Sequence, residues 1–183
     1  MRLFFAINMA DDIKGIIDER VSSIKKETSN DLKWVKRDNM HITLKFLGEV
    51  KKDLINPIIK KMEVISEKIE QQSTKTGQIA AFPHLSYPRV IYIEIRDEVN
   101  YLFELHKNME NELIKLGFKP DHNPYIPHIS IARTRSGANK KRISRYFKKF
   151  IEINNMTFSD LNILIESVSL MKSTLKKEGP VYE

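Results

Sequence analysis

The sequence predicts an α+β fold built as two similar lobes, with helices packed outside antiparallel strands. Three observations lead there. Apolar runs of strand length alternate with amphipathic stretches of helical period, and some strands follow one another through short turns. Two patterns recur at a single offset of 87 residues: Arg2-Leu3-Phe4-Phe5 with Arg89-Val90-Ile91-Tyr92, and His41-Ile42-Thr43-Leu44 with His128-Ile129-Ser130-Ile131. A duplication of that kind predicts two lobes related by a pseudo-twofold axis. With 183 residues, 41% of them apolar and 30% charged, the chain can bury a core that both lobes share and is not a disordered segment.

In the first half, Leu3 to Ile7 is a buried strand. Asp11 and Asp12 offer a helix N-cap and favourable charge at the positive end of the dipole. Ile13, Ile16, Ile17, Val21 and Ile24 then mark one face of a helix ending near Lys26. A short strand at Leu32 to Val35 and a turn at Asp38-Asn39 lead into a strand from His41 to Leu47, which Gly48 stops. A second helix is expected from Asp53 to Gln71, burying Leu54, Ile58, Met62, Ile65 and Ile69, with Pro57 in its first turn. Gln78 to Phe82 reads as a strand.

The second half repeats the order. Arg89 to Ile95 is a strand, and Leu102, Leu105, Met109, Leu113 and Leu116 form a helix face capped by Gly117. Phe118 to Pro127, with three prolines, is a loop. His128 to Ile131 is a strand, followed by a basic helix from Ala138 to Phe150. Strands over Ile151–Phe158, Leu161–Leu170 and Val181-Tyr182 complete the expected set.

Composition narrows the chemistry. The absence of cysteine removes disulfides, thiolate nucleophiles and sulfur-based zinc sites, and suits a reducing compartment. No apolar run reaches the roughly 18–20 residues of a membrane span, and the N-terminal apolar stretch is too short for a signal peptide. A cytoplasmic, soluble monomer is therefore expected. The net charge of +7 points to a polyanionic partner. Arg133 to Lys149 holds eight basic residues and no acidic one, so the whole surplus sits in one segment. Lys140, Lys141, Arg142 and Arg145 in it are candidates for contacting an RNA backbone; a solvated helix face, with Ile143, Tyr146, Phe147 and Phe150 buried, is the competing explanation.

The repeated tetrapeptide carries the chemistry. On a strand, His41 and Thr43 share one face while Ile42 and Leu44 share the other, and His128 and Ser130 do the same. Joined across a pseudo-twofold axis, the two strands would line a cleft with two imidazoles and two hydroxyls. One histidine can then accept a proton and the other donate one, while hydroxyls and a guanidinium hold phosphate oxygens. Such phosphoryl chemistry needs no metal or other cofactor. No His-Glu-x-x-His cluster or Gly-rich phosphate loop is present.

The opening Met-Arg-Leu-Phe-Phe-Ala-Ile, the block His41 to Glu49, the stretch Pro127 to Arg133 and the tail Gly179-Pro180-Val181-Tyr182 together resemble the 2H phosphoesterase superfamily. Within it they resemble the RNA 2′,3′-cyclic phosphodiesterases, also called 2′-5′ RNA ligases. The resemblance implies two antiparallel sheets facing a central cleft, and hydrolysis of a terminal 2′,3′-cyclic phosphate on RNA to a 2′-phosphate without metal. It implies His41 as proton donor to the departing 3′ oxygen and His128 as proton acceptor from water. Thr43, Ser130 and Arg133 would hold the phosphate, Ser130 standing where the family more often has threonine. Ligation at the same site, a non-catalytic RNA-binding module and a phosphodiesterase for small cyclic phosphates are the alternatives. Tyr125, Tyr87, Phe82 and Trp34 offer faces for a nucleobase, although core packing is the commoner fate of an aromatic ring. His106 is expected to be partly exposed, and His122 lies in a loop that can border the cleft.

Overall fold

A computed structural model of the chain describes residues 1–66, 71–154, 158, 161–176 and 179–183, with the side chains of 153 and 154 left aside. Its elements are β1 (Arg2–Asn8), α1 (Asp11–Arg20), α2 (Ser22–Thr28), β2 (Leu32–Trp34), β3 (His41–Glu49), α3 (Ile55–Ser66), β4 (Gln72–Phe82), β5 (Val90–Arg96), α4 (Tyr101–Ile114), β6 (His128–Thr134), α5 (Lys140–Asn154), β7 (Asn162–Ile165), β8 (Ser169–Lys176) and β9 (Gly179–Tyr182).

The strands follow the order β7-β4-β5-β6-β3-β1-β8-β9, with β2 also on β6, and every pairing is antiparallel. The path divides into a β3-β1-β8-β9 sheet and a β7-β4-β5-β6 sheet, joined by one bridge between Ile42 and Ile129. Those two residues are themselves 87 apart, so the pseudo-twofold axis passes through their bridge. The α+β duplicated architecture is the one the repeat predicts.

Pairing within each lobe repeats as well. β1 lies on β3 as β5 lies on β6. Each inner strand carries a bulge at the equivalent place: the register steps from Phe5↔Lys45 to Ala6↔Thr43, and from Ile91↔Ala132 to Tyr92↔Ser130. Leu44 and Ile131 are the extra residues, and a bulge reverses the facing of everything beyond it.

Helices cover the outer faces, and α4, from the second half, packs behind the first-half strands. There His106 donates from Nδ1 to the Leu44 carbonyl at 2.9 Å, and Lys45 reaches Glu110. Behind the other sheet, α2 and α5 meet through Trp34, which donates from Nε1 to Thr28 Oγ1 at 3.2 Å and stacks on Phe147. The core is continuous between the lobes, with Phe5, Ile7, Ile42, Leu44, Ile91, Ile93, Ile129 and Ile131 buried along the four central strands.

Several boundaries differ from expectation. The first helix breaks at Val21 into α1 and α2, and Ala10 occupies the cap position, with Asp11 and Asp12 inside the first turn. Asp12 still accepts from the Ile13 N–H at 2.7 Å. The helix expected over Asp53–Gln71 begins as a 3-10 turn at Lys52–Leu54 and continues as α3, with Pro57 in its first turn; Gln71 lies outside it, and Ile69 lies outside the described residues. The strand expected at Gln78 begins at Gln72. Its early inward positions are Thr74 and Thr76, which satisfy their buried hydroxyls on the Arg96 and Leu161 carbonyls, and threonine hides a strand from an apolar count.

No strand begins at Ile151. α5 continues to Asn154, because Ile143, Phe147 and Phe150 carry the helical period on a buried face; residues 155–157 of that expected strand lie outside the described residues. The single strand expected over Leu161–Leu170 is two. β7 pairs with β4 at one end of the sheet path, and β8 pairs with β1 in the other lobe.

Candidate active site

On β3 and β6 the alternation falls as the motif predicts. Ile42, Leu44, Ile129 and Ile131 are buried toward the helices, while His41, Thr43, His128 and Ser130 are half-buried on the opposite, inner face. Because Ile42 faces Ile129 in an antiparallel bridge, the register carries His41 toward Ser130 and Thr43 toward His128. The four polar side chains of the repeat therefore meet across the axis.

Both imidazoles are held in the same way. His41 Nδ1 lies 2.8 Å from the Asn39 carbonyl, and His128 Nδ1 lies 2.7 Å from the Ile126 carbonyl. A carbonyl only accepts, so Nδ1 carries the hydrogen in each ring and Nε2 is left as the basic nitrogen. Nε2 of His41 is 3.1 Å from Thr43 Oγ1, so the hydroxyl donates to it. Asn39 is fixed in turn, its Nδ2 donating to the Pro180 carbonyl of β9 at 2.9 Å.

Each ring also has aromatic walls. Phe4 and Tyr182 stand 5.0 and 5.2 Å from His41, and Phe82 and Tyr92 each stand 5.1 Å from His128. These walls shape the electrostatics. His41 is lowered from 6.5 to about 4, chiefly by burial; its Asn39 bond opposes the fall, and the charges of His128, Lys14 and Arg133 add to it. Burial likewise lowers His128, against its bond to Ile126, with Arg133 adding to the fall. Both imidazoles are neutral at pH 7.

Arg133 stands five residues after His128, an odd spacing that would face it away from the cleft on a regular strand. The bulge at Ile131 turns it back: Ser130 pairs with Tyr92 and Arg133 with Val90, two residues of one face on β5. Its charge acts on His41, His128 and Tyr182 alike, which fits a guanidinium near both rings on the inner face. Phe46, 87 positions earlier, comes round to the same face of β3 by the same device and is exposed.

The other candidates divide. Arg142 is bound into the fold, donating from Nε and Nη2 to the buried Asp31 at 2.9 and 2.6 Å. Lys140 lies over the exposed Tyr87 ring with Nζ 3.6 Å from its centroid; Lys141 and Arg145 are exposed on α5. His122 is exposed, whereas His106 is buried rather than partly exposed, since its Nδ1 bond to the Leu44 carbonyl and its stacking on Tyr125 at 4.3 Å both need the helix face to be covered. Tyr125 also donates to the Thr43 carbonyl at 3.3 Å, so it braces the motif strand from behind. Sequence reasoning missed Asn39 and Tyr182 as neighbours of His41, because their places depend on register between distant strands. The one local signal was that Asn39 and Ile126, whose carbonyls accept from the two rings, each precede a motif histidine by two.

His106, Glu110 and Asp121 form a cluster of metal-ligand type, but the buried Lys45 ammonium occupies it, 2.6 Å from Glu110 and 2.9 Å from Asp121. Burial would raise the Glu110 carboxyl; Lys45 and the Asp121 N–H outweigh that and lower it. Among the described residues no helix is long and apolar enough to cross a membrane.

Comparison with known proteins agrees with this architecture. The model of the LigT like phosphoesterase family matches the chain twice, over residues 7–92 and 93–182. An RNA 2′,3′-cyclic phosphodiesterase of Methanocaldococcus jannaschii is 33% identical over 183 residues, covering 100% of this chain and 97% of its own. One from Aquifex aeolicus is 30% identical over 169 residues, covering 91% and 87%. Among solved structures, a Thermus thermophilus protein superposes with a TM-score of 0.80 at 22% identity, covering 100% of this chain and 94% of that one. Escherichia coli LigT in complex with 3′-AMP superposes at 0.69 and 20% identity, covering 100% and 93%.

Proposed function

The chain belongs to the LigT-like phosphoesterase family, and from that premise we propose that it is an RNA 2′,3′-cyclic phosphodiesterase, opening a terminal cyclic phosphate to a 2′-phosphomonoester. The observation that carries the reading is the matched pair of imidazoles: two neutral rings in one tautomer, related by the repeat, with basic nitrogens on the inner face of adjoining strands. The chain's two halves act as one catalytic unit, because each supplies one ring and neither alone has an acid and a base.

In this mechanism His128 Nε2 takes a proton from water as its oxygen attacks phosphorus. The bond from phosphorus to the 3′ oxygen breaks on the far side, and His41, protonated at Nε2, gives that oxygen its proton. An imidazolium depressed as far as that of His41 is a strong acid, which suits it to an alkoxide leaving group; the anionic substrate supports its protonation. Thr43, Ser130 and Arg133 hold the non-bridging oxygens as charge builds on them. The step uses protons and hydrogen bonds only, so it proceeds without a metal ion, and RNA is the substrate.

The test is single replacement of each ring. His41→Ala and His128→Ala should each lower turnover of a 2′,3′-cyclic oligonucleotide by about 10²–10⁴-fold while leaving its binding largely intact. Full activity in either variant would refute the two-histidine scheme. Wild-type protein that binds the RNA and never cleaves it would support a binding module instead.

A further inference from the structure

We propose that Lys33, set beside Arg133, forms a subsite for a second phosphate, the one on the 5′ side of the terminal nucleotide. The proposal rests on the phosphodiesterase reading above and names a feature of its substrate: an end that carries two phosphates rather than one.

The placement follows from register. β2 lies antiparallel on β6 with Lys33 directly opposite Arg133, so the two side chains rise from the same face. That is the inner face, shared with His128 and Ser130 by way of the bulge at Ile131. Like charges opposite one another on neighbouring strands repel, and sheets ordinarily separate them or supply a counter-ion. Here none is supplied. Among the described residues neither Lys33 nor Arg133 forms a salt bridge, and both are exposed. An unneutralised, exposed pair of cations on the inner face is a binding place for an anion.

The two cations differ in what surrounds them. Arg133 acts on both histidines and on Tyr182, so it belongs to the reacting phosphate. Lys33 is one strand spacing further out, about 4.8 Å, on a four-carbon stem. Its Cε and Nζ come within 3.5 Å of where a Cβ would stand on Gly179, so the ammonium lies against the first residue of β9. Neither His41 nor His128 is among the groups its charge perturbs. It is thus positioned to meet a phosphate beside the reacting one.

That second phosphate can be the diester linking the terminal nucleotide to a chain, or a free phosphate on its own 5′ oxygen. The test uses three substrates: a nucleoside 2′,3′-cyclic phosphate, the same compound bearing a 5′-phosphate, and a dinucleotide ending in the same cyclic phosphate. Wild-type protein should favour the last two over the first in kcat/KM by about tenfold, the value of one charge-assisted contact. Lys33→Ala should abolish that preference, leaving the first substrate within about twofold, and Lys33→Arg should restore it. A preference for the dinucleotide alone assigns the subsite to the diester, and equal preference assigns it to either phosphate. Equal loss on all three substrates in Lys33→Ala, or an unchanged preference, would overturn the proposal while leaving the phosphodiesterase reading in place. Wild-type protein inactive on all three would instead remove that reading, and the subsite's role in it.

Discussion

His41 and His128 show how much a pair of residues can carry and where sequence stops. Their identity, their shared face with Thr43 and Ser130, and the repeat relating them were all legible, because strand alternation has a period of two and the motif occurs twice. Arg133 was legible only through resemblance, since its odd spacing points the wrong way until the bulge at Ile131 is known. The depression of the two pKa values was not legible at all; it comes from Phe4, Tyr182, Phe82 and Tyr92, brought in from four other strands. It has a measurable result. The proposed mechanism needs one imidazole protonated and the other neutral, and burial lowers both in the free protein, His41 to about 4. The kcat/KM profile should be bell-shaped with its maximum on the acid side of pH 6.5. Bound phosphate stabilises an imidazolium, so the alkaline limb of kcat should lie at higher pH than that of kcat/KM. A kcat/KM optimum above about pH 7 would contradict the burial of these rings. The same shift lowers stability in acid: between about pH 6.5 and 4 the unfolded chain takes up a proton that folded His41 refuses.

At the scale of the element, most strands and helices announced themselves through apolar period, and the errors have local causes. Threonine on the inward positions hid the first half of β4. The C-terminal half of α5 carries Phe150 and Ile151, which suit a strand as well as a helix, and only packing against α2 and Trp34 decides between them. The basic run on α5 is the element whose role sequence alone left divided, and its residues divide too. Arg142 neutralises Asp31, a carboxylate only 4% exposed, while Lys140, Lys141 and Arg145 face outward. Arg142→Ala should therefore destabilise the protein by about 2 kcal/mol in urea unfolding, a value discounted because the guanidinium is itself half-exposed. Replacing Lys140, Lys141 and Arg145 together by Gln should leave stability within about 0.5 kcal/mol. It should also weaken binding of long RNA, flatten its salt dependence by about 0.7 log units per lost phosphate contact, and spare dinucleotide turnover. Unchanged affinity for long RNA in that triple variant would make the run a solvated face.

For the whole molecule, the repeat does more than double a motif. It places one bridge, Ile42 to Ile129, on the pseudo-twofold axis, so two weak signals on separate strands become one site with an imidazole on either side. The sequence offset anticipated the two lobes. It did not show that α4 packs behind the first-half strands, or that β9 returns to set Tyr182 on His41 and Pro180 on Asn39. Those are tertiary exchanges between halves, with no local signature. They also make the site sensitive to the integrity of both lobes. The most direct test of this account is an oligonucleotide ending in a 2′,3′-cyclic phosphate, incubated with the protein in EDTA and resolved by chromatography. A 2′-phosphomonoester should form at a rate EDTA leaves unchanged; an intact cyclic end, a 3′-phosphate product or loss of activity in EDTA would overturn the two-histidine phosphodiesterase reading.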